Sequence, residues 1–202
     1  MTIFDFRSGK IPEKFFWFNQ PAVFYFNKGL TVLTDPKTDF WQRTYYGFRP
    51  DNGHALLTSL DSDFSLQTRT EFIPKTLYDQ CGLYVRIDSQ NWIKCSIELE
   101  KNGVSRLGSV VTNLGYSDWA TQDISSDIRA ISYRLSKRAK DFLIEFSYNE
   151  KQWSQLRVTH LHELKKTIDA GVYACSPRGE KFECHFNYIE LEENKYFPKP
   201  AA

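Results

Sequence analysis

The chain has 202 residues, with 26 Lys plus Arg against 25 Asp plus Glu, a formal net charge of +1 and 41% hydrophobic residues. A chain of this length can bury roughly 70% of its unfolded surface, so it needs neither disulfide nor metal to hold a core. The balanced charge gives no electrostatic reason to expect nucleic acid or an anionic membrane as partner, and the composition excludes a collagen, a coiled coil and a membrane protein.

The first residues, Met1-Thr-Ile-Phe-Asp-Phe-Arg7, put no basic segment before an apolar run, so no secretory leader is expected and a cytoplasmic protein is. Residues 35–48 are unusual: Phe40, Trp41, Tyr45, Tyr46 and Phe48 crowd together before Asp51-Asn-Gly-His54. This reads as a long ordered loop or hairpin whose rings either plug the core or wall a ligand site.

From residue 64 the pattern has period two. Phe64, Leu66, Thr68, Thr70 and Phe72 share one face, and Gln67, Arg69 and Glu71 the other. Leu83, Val85 and Ile87 alternate with Tyr84, Arg86 and Asp88, and Ile93, Cys95, Ile97 and Leu99 with Trp92, Lys94, Ser96, Glu98 and Glu100. The same holds for Ile131, Tyr133 and Leu135 against Arg134, for Phe142, Ile144 and Phe146, and for Phe182, Cys184, Phe186 and Tyr188. Alternation of this length marks half-buried strands. Turn signals separate the runs, including Lys101-Asn-Gly103 and Ser176-Pro-Arg-Gly179, so the pattern predicts an antiparallel sandwich or barrel. A short helical turn is expected at 159–166. One domain over 1–196 with a frayed tail over 197–202 is the economical division.

Cys81, Cys95, Cys175 and Cys184 include no CxxC pair and read as reduced structural thiols. His160 and His162 have no third ligand in view, so no metal is expected, and the absence of G-x-S-x-G and of Gly-rich phosphate loops leaves no cofactor expected. Glu98 and Glu100 project from one strand face about 7 Å apart, a spacing that glycoside hydrolysis permits and that any Glu-x-Glu strand also gives.

The outward faces carry the functional signal. Arg69, Glu71, Tyr84, Arg86, Trp92, Lys94, Glu98 and Arg134 mix aromatic, guanidinium and carboxylate groups, as a hollow binding a polar ligand does. Trp41, Tyr46, His54 and Trp119 are candidate rim residues. Cross-strand ion pairing on a wet face is the alternative.

Thr38-Asp-Phe-Trp-Gln-Arg-Thr-Tyr-Tyr-Gly-Phe48 with Asp51-Asn-Gly-His54, Gly82-Leu-Tyr-Val-Arg-Ile-Asp88 with Asn91-Trp-Ile-Lys94, Leu107-Gly-Ser-Val-Val-Thr-Asn113 with Tyr116-Ser-Asp-Trp119, and Asp141-Phe-Leu-Ile-Glu-Phe-Ser147 with Trp153 stand in order along the chain. Together they resemble a concanavalin A-like family of unknown function that includes the yeast regulation-of-enolase protein. The resemblance implies an all-β jelly-roll sandwich of two antiparallel sheets, a fold that permits sugar binding without establishing it. It also implies a role near carbohydrate metabolism through protein contact. Glucanases of this fold carry Glu-x-Asp-x-x-Glu or Glu-x-Asp-x-Glu, and Glu98-Leu-Glu-Lys-Asn102 lacks the central Asp and the last Glu. The expectation is therefore a non-catalytic module that binds a carbohydrate or sugar phosphate on the concave sheet face. A regulatory protein acting on a metabolic enzyme comes second, and a glycosidase or sugar isomerase using Glu98 with Glu71 or Glu100 third.

Overall fold

Period-two alternation becomes strand wherever a run lies between turn signals. The computed structural model describes residues 1–163, 165–179 and 181–197. Its strands are β1 (Thr2–Phe4), β2 (Phe15–Phe18), β3 (Val23–Phe26), β4 (Leu30–Leu33), β5 (His54–Leu60), β6 (Phe64–Ile73), β7 (Gln80–Asp88) and β8 (Asn91–Leu99). They continue with β9 (Val104–Asn113), β10 (Tyr116–Ser125), β11 (Ala130–Arg138), β12 (Asp141–Ser147), β13 (Ser154–His160), β14 (Ile168–Cys175) and β15 (Glu183–Glu193). Asn102 and Gly103 turn the β8–β9 hairpin with φ of 60° and 76°, the positive values their residue types tolerate.

The strands form two antiparallel sheets. One is eight-stranded, in order β13-β12-β11-β6-β15-β4-β3 with β1 added alongside β15; the other is seven-stranded, in order β10-β9-β8-β7-β14-β5-β2. The inward faces meet in one core, where Leu83, Val85, Ile93, Cys95 and Ile97 oppose Leu66, Ile131, Tyr133, Leu135, Phe142 and Ile144. The apolar inward set fixes the register, since a slip by one residue would turn it away from the core between the sheets. This is an antiparallel sandwich, one of the two forms the alternation predicts, and it is the concanavalin A-like jelly roll that the resemblance implies.

The helical turn expected at 159–166 is not formed among the described residues. His160 ends β13, Leu161 N–H donates to the Lys140 carbonyl at 3.0 Å, and Lys140 Nζ donates to the His162 carbonyl at 2.7 Å. Pairing with the strand before it overrides local propensity there. Leu164, within that segment, and 198–202 of the expected tail lie outside the described residues. No helix among the described residues is long and apolar enough to cross a membrane. All four cysteines are free and buried, and burial pushes the Cys95 thiol up to about 12.

The seven-stranded sheet is apolar on its second face as well. Phe40, Trp41, Ala55, Leu57, Tyr84, Trp92, Val110, Tyr173 and Cys175 form a separate cluster there. Residues 34–53 supply the roof, and this roof creates the site.

Candidate functional site

The roof is tied down along its length. At its far end, His54 donates from Nδ1 to the Asn19 carbonyl at 2.6 Å and accepts the Asp35 N–H at Nε2 at 2.9 Å, which fixes its tautomer. Thr38 Oγ1 donates to the Asp35 carbonyl at 2.9 Å and accepts the Ser176 N–H at 3.0 Å. Arg86 grips both oxygens of Asp51 at 2.7 and 2.8 Å, and Arg43 donates to the Gly115 carbonyl at 2.7 Å. Phe40 drives into the sheet, stacking on Tyr84 with centroids 4.4 Å apart and planes 18° apart. Gly53 lets that ring in, because a Cβ there would collide with the Phe40 ring and the Cys175 sulfur.

Beyond Phe40 the roof stops short of the ends of β7 and β8 and leaves a cavity of about 500 Å³. Trp41, Tyr46, Phe48, Tyr78 and Trp119 give it aromatic walls; Asp39, Gln80, Lys94 and Glu98 give it polar groups; Lys37, Arg49 and Arg178 stand at its mouth. The volume falls within the range of small-molecule sites. Tyr46 and Phe48 stack at 5.2 Å and Trp41 meets Trp119 edge-on at 6.4 Å, while the Arg106 guanidinium lies 5.5 Å from the Trp119 ring. The rings are thus fixed against one another.

Alternation on β8 puts Lys94 and Glu98 on the same face, and the ladder sets Gln80 of β7 directly opposite Glu98. Lys94 Nζ reaches along the strand toward the Glu98 end to donate to Gln80 Oε1 at 2.8 Å and to Asp39 Oδ1 at 3.2 Å. Tyr173 donates its phenol to the same Gln80 oxygen at 3.0 Å. Burial alone would lower the Lys94 ammonium's pKa, but the Asp39 and Glu98 carboxyls outweigh it and raise it, so the lysine stays charged. Glu98 is only 7% exposed. Burial pushes its carboxyl up to about 7, with the Asp39 charge adding and Lys94 opposing.

A neighbouring turn completes the wall. Asp79 accepts the N–H groups of Lys75 and Thr76, the Thr76 hydroxyl, and the Ser176 hydroxyl at 2.6 Å. It thereby holds Tyr78 at a φ of 69°, in the left-handed region, with its ring on the cavity.

The structure divides the sequence-derived candidates into three groups. Lys94, Glu98, Trp41, Tyr46 and Trp119 meet at the cavity. Tyr84, Trp92, Arg86 and His54 lie beneath or beside the roof as its supports: Tyr84 and Trp92 are fully buried, Arg86 is committed to Asp51, and His54 to backbone. Arg69, Glu71 and Arg134 belong to the other sheet, on β6 and β11, because outward alternation occurs on both sheets and these strands pair with each other. Arg134 is clasped there between the rings of Trp153 and Tyr196, 4.2 and 3.6 Å from their centroids, and paired with Glu145 at 2.8 Å. Neither carboxylate expected to partner Glu98 in a hydrolytic pair lines the cavity: Glu71 is bonded to Asn187 on the other sheet, and Glu100, although near Glu98, is paired with Arg106. Asp39, Gln80, Tyr78 and the mouth cations escaped sequence reading. For Gln80 a signal existed: the β7 alternation carried back from Tyr84 through Gly82 reaches it. The aromatic segment serves both roles left open for it, with Phe40 as plug and Trp41, Tyr46 and Phe48 as wall.

Comparison with known proteins agrees with this architecture. Residues 17–194 match a family described as protein of unknown function, DUF1349. Regulation of enolase protein 1 from Saccharomyces cerevisiae is 36% identical over 162 residues, covering 80% of this chain and 80% of that protein. The crystal structure of a functionally unknown protein from Saccharomyces cerevisiae superposes with a TM-score of 0.84 at 33% identity, covering 90% of this chain and 97% of that one. A mutant of the GH43 protein BlXynB from Bacillus licheniformis superposes with a TM-score of 0.77 at 13% identity, covering 95% of this chain and 39% of that one, which is a likeness of fold. With the family matched over residues 17–194 and a relative 36% identical over four-fifths of the chain, this chain belongs to the DUF1349 family.

Proposed function

We propose that the protein is a non-catalytic binding module that holds a small carbohydrate-type ligand, a carbohydrate or sugar phosphate, in the cavity over the seven-stranded sheet. The observation that carries this reading is the pairing of aromatic walls with a fixed polar floor. Rings such as Trp119 and Tyr46 offer faces for sugar C–H groups, while Lys94, Gln80 and Glu98 present donors and acceptors to hydroxyls. The free buried thiols suit a reducing compartment, and a cytoplasmic location is part of the reading. Titration calorimetry against monosaccharides, short oligosaccharides and sugar phosphates tests it. Binding by the wild type and its loss in Trp119→Ala, with an unchanged melting temperature, supports it; no heat from any member of the panel overturns it.

A second reading is regulation of a metabolic enzyme by contact. It is favoured by the name of the 36% identical relative and by exposed rings beside the cavity, Tyr45 at 94% and Tyr116 at 63% exposure. Sedimentation of the protein with purified enolase tests it: Tyr45→Asp would abolish a complex and Glu98→Gln would leave it intact.

A further inference from the structure

The mouth of the cavity concentrates positive charge that the protein itself leaves unbalanced. Lys37, Arg49 and Arg178 are exposed, line the same opening, and have no carboxylate partner among the described residues. In the same chain, whose net charge is only +1, Arg86 is paired with Asp51, Arg134 with Glu145 and Arg157 with Asp118. Like charges around one opening repel until an anion settles between them, and a guanidinium fork matches the paired oxygens of phosphate or carboxylate. Pro50 restricts the backbone of Arg49 before it, and Pro177 fixes its own φ beside Arg178.

The floor is unsaturated in a complementary way. Lys94 has three N–H donors, of which Gln80 and Asp39 take two. Glu98, though more than nine-tenths buried, lines the cavity with no hydrogen-bond partner among the described residues. A carboxyl in that position serves hydroxyl groups, as acceptor or, when protonated, as donor. Its raised pKa also keeps it from adding a full second negative charge beside Asp39 at neutral pH.

We propose that the ligand is an anionic sugar, its phosphate or carboxylate held at the mouth by Arg49 and Arg178 and its hydroxyls read on the floor by Lys94 and Glu98. This rests on the carbohydrate-module reading and narrows it to one chemical class.

Titration calorimetry decides it, using glucose, mannose and xylose, their monophosphates, the corresponding uronic acids, and inorganic phosphate, each at low and high salt. The expected result is that phosphorylated or carboxylated sugars bind at least about tenfold more tightly than their neutral parents and weaken in high salt. The double variant Arg49→Ala/Arg178→Ala, exposed at both positions and expected to fold, should erase that margin. The monophosphate and uronate arms show which anion is preferred. Neutral sugars binding as well as acidic ones, or an unchanged margin in the double variant, overturns this proposal and leaves the carbohydrate module standing. Inorganic phosphate binding as tightly as the sugar phosphates overturns the role given to the floor. Silence across the whole panel overturns both readings.

Discussion

Phe40 lies flat against Tyr84, ring on ring at 4.4 Å, and so joins a surface segment to the middle of a sheet. The contact also flanks the half-buried Arg86–Asp51 pair, because the Tyr84 phenol accepts from Arg86 at 3.1 Å. Phe40→Ala should therefore cost about 3–5 kcal/mol of stability, as removal of a fully buried ring does. It should also abolish ligand binding, since Asp39 and Trp41 flank it. Urea denaturation with a parallel binding titration checks both.

Two tryptophans separate support from recognition. Trp92 is fully buried under the roof, whereas Trp119 is half-buried on the cavity wall. Trp92→Ala should lower stability by about 3–5 kcal/mol. Trp119→Ala should change it by less than about 1 kcal/mol yet remove most of the binding affinity. Equal stability losses in the two variants would refute this division.

The Arg86–Asp51 fork anchors the far end of the roof. Arg86→Ala strands the Asp51 carboxylate and should destabilise the protein by about 2–4 kcal/mol. Hydrogen exchange should quicken at residues 39–53 well before it changes in β11 or β12. Uniform acceleration throughout the chain would contradict a local anchoring role.

Glu98 gives the protein a pH signature. Its folded-state pKa, pushed up to about 7, exceeds the ordinary glutamate value, so between roughly pH 4.5 and 7 the folded state binds more protons than the unfolded one. Stability contributed by this group is then full below that window and falls as pH rises through it. Glu98→Gln mimics the protonated form and should remove this fall, leaving the variant about 3 kcal/mol more stable than wild type near pH 8. Denaturation midpoints across the range check the sign, and a variant that is less stable at pH 8 refutes it.

Lys94 tests the floor as a unit. Lys94→Met keeps the bulk of the stem but leaves Asp39 and Gln80 without their cation. A stability loss of about 2–4 kcal/mol is expected, much of it recovered when Asp39→Asn is added. A double-mutant cycle gives the coupling, and simple additivity would show that the pair acts independently.

Alternation made the architecture readable because the central strands turn an alternating apolar set into the core between the sheets. It placed Lys94 and Glu98 outward correctly and separated them from Ile93, Cys95 and Ile97. It carried no information on which sheet a strand joins. Arg134 and Lys94 present the same period-two pattern, and only the pairing of β11 with β6 rather than with β7 parts them. Nor did it show that an outward ring such as Trp92 would be roofed over, because the roof is irregular backbone held by His54, Thr38 and Arg86. Asp39 was hidden for the same reason: its meeting with Lys94 joins residues 55 positions apart through a loop with no period of its own.

Asp79, Ser176 and Thr38 bind three separate surface segments into one frame, since Ser176 bonds to both of the others. Such a frame loses little conformational entropy when a guest enters, so affinity need not be spent on ordering the walls. Association should then follow a single diffusive phase whose observed rate climbs linearly with guest concentration, without the plateau that a slow closing motion imposes.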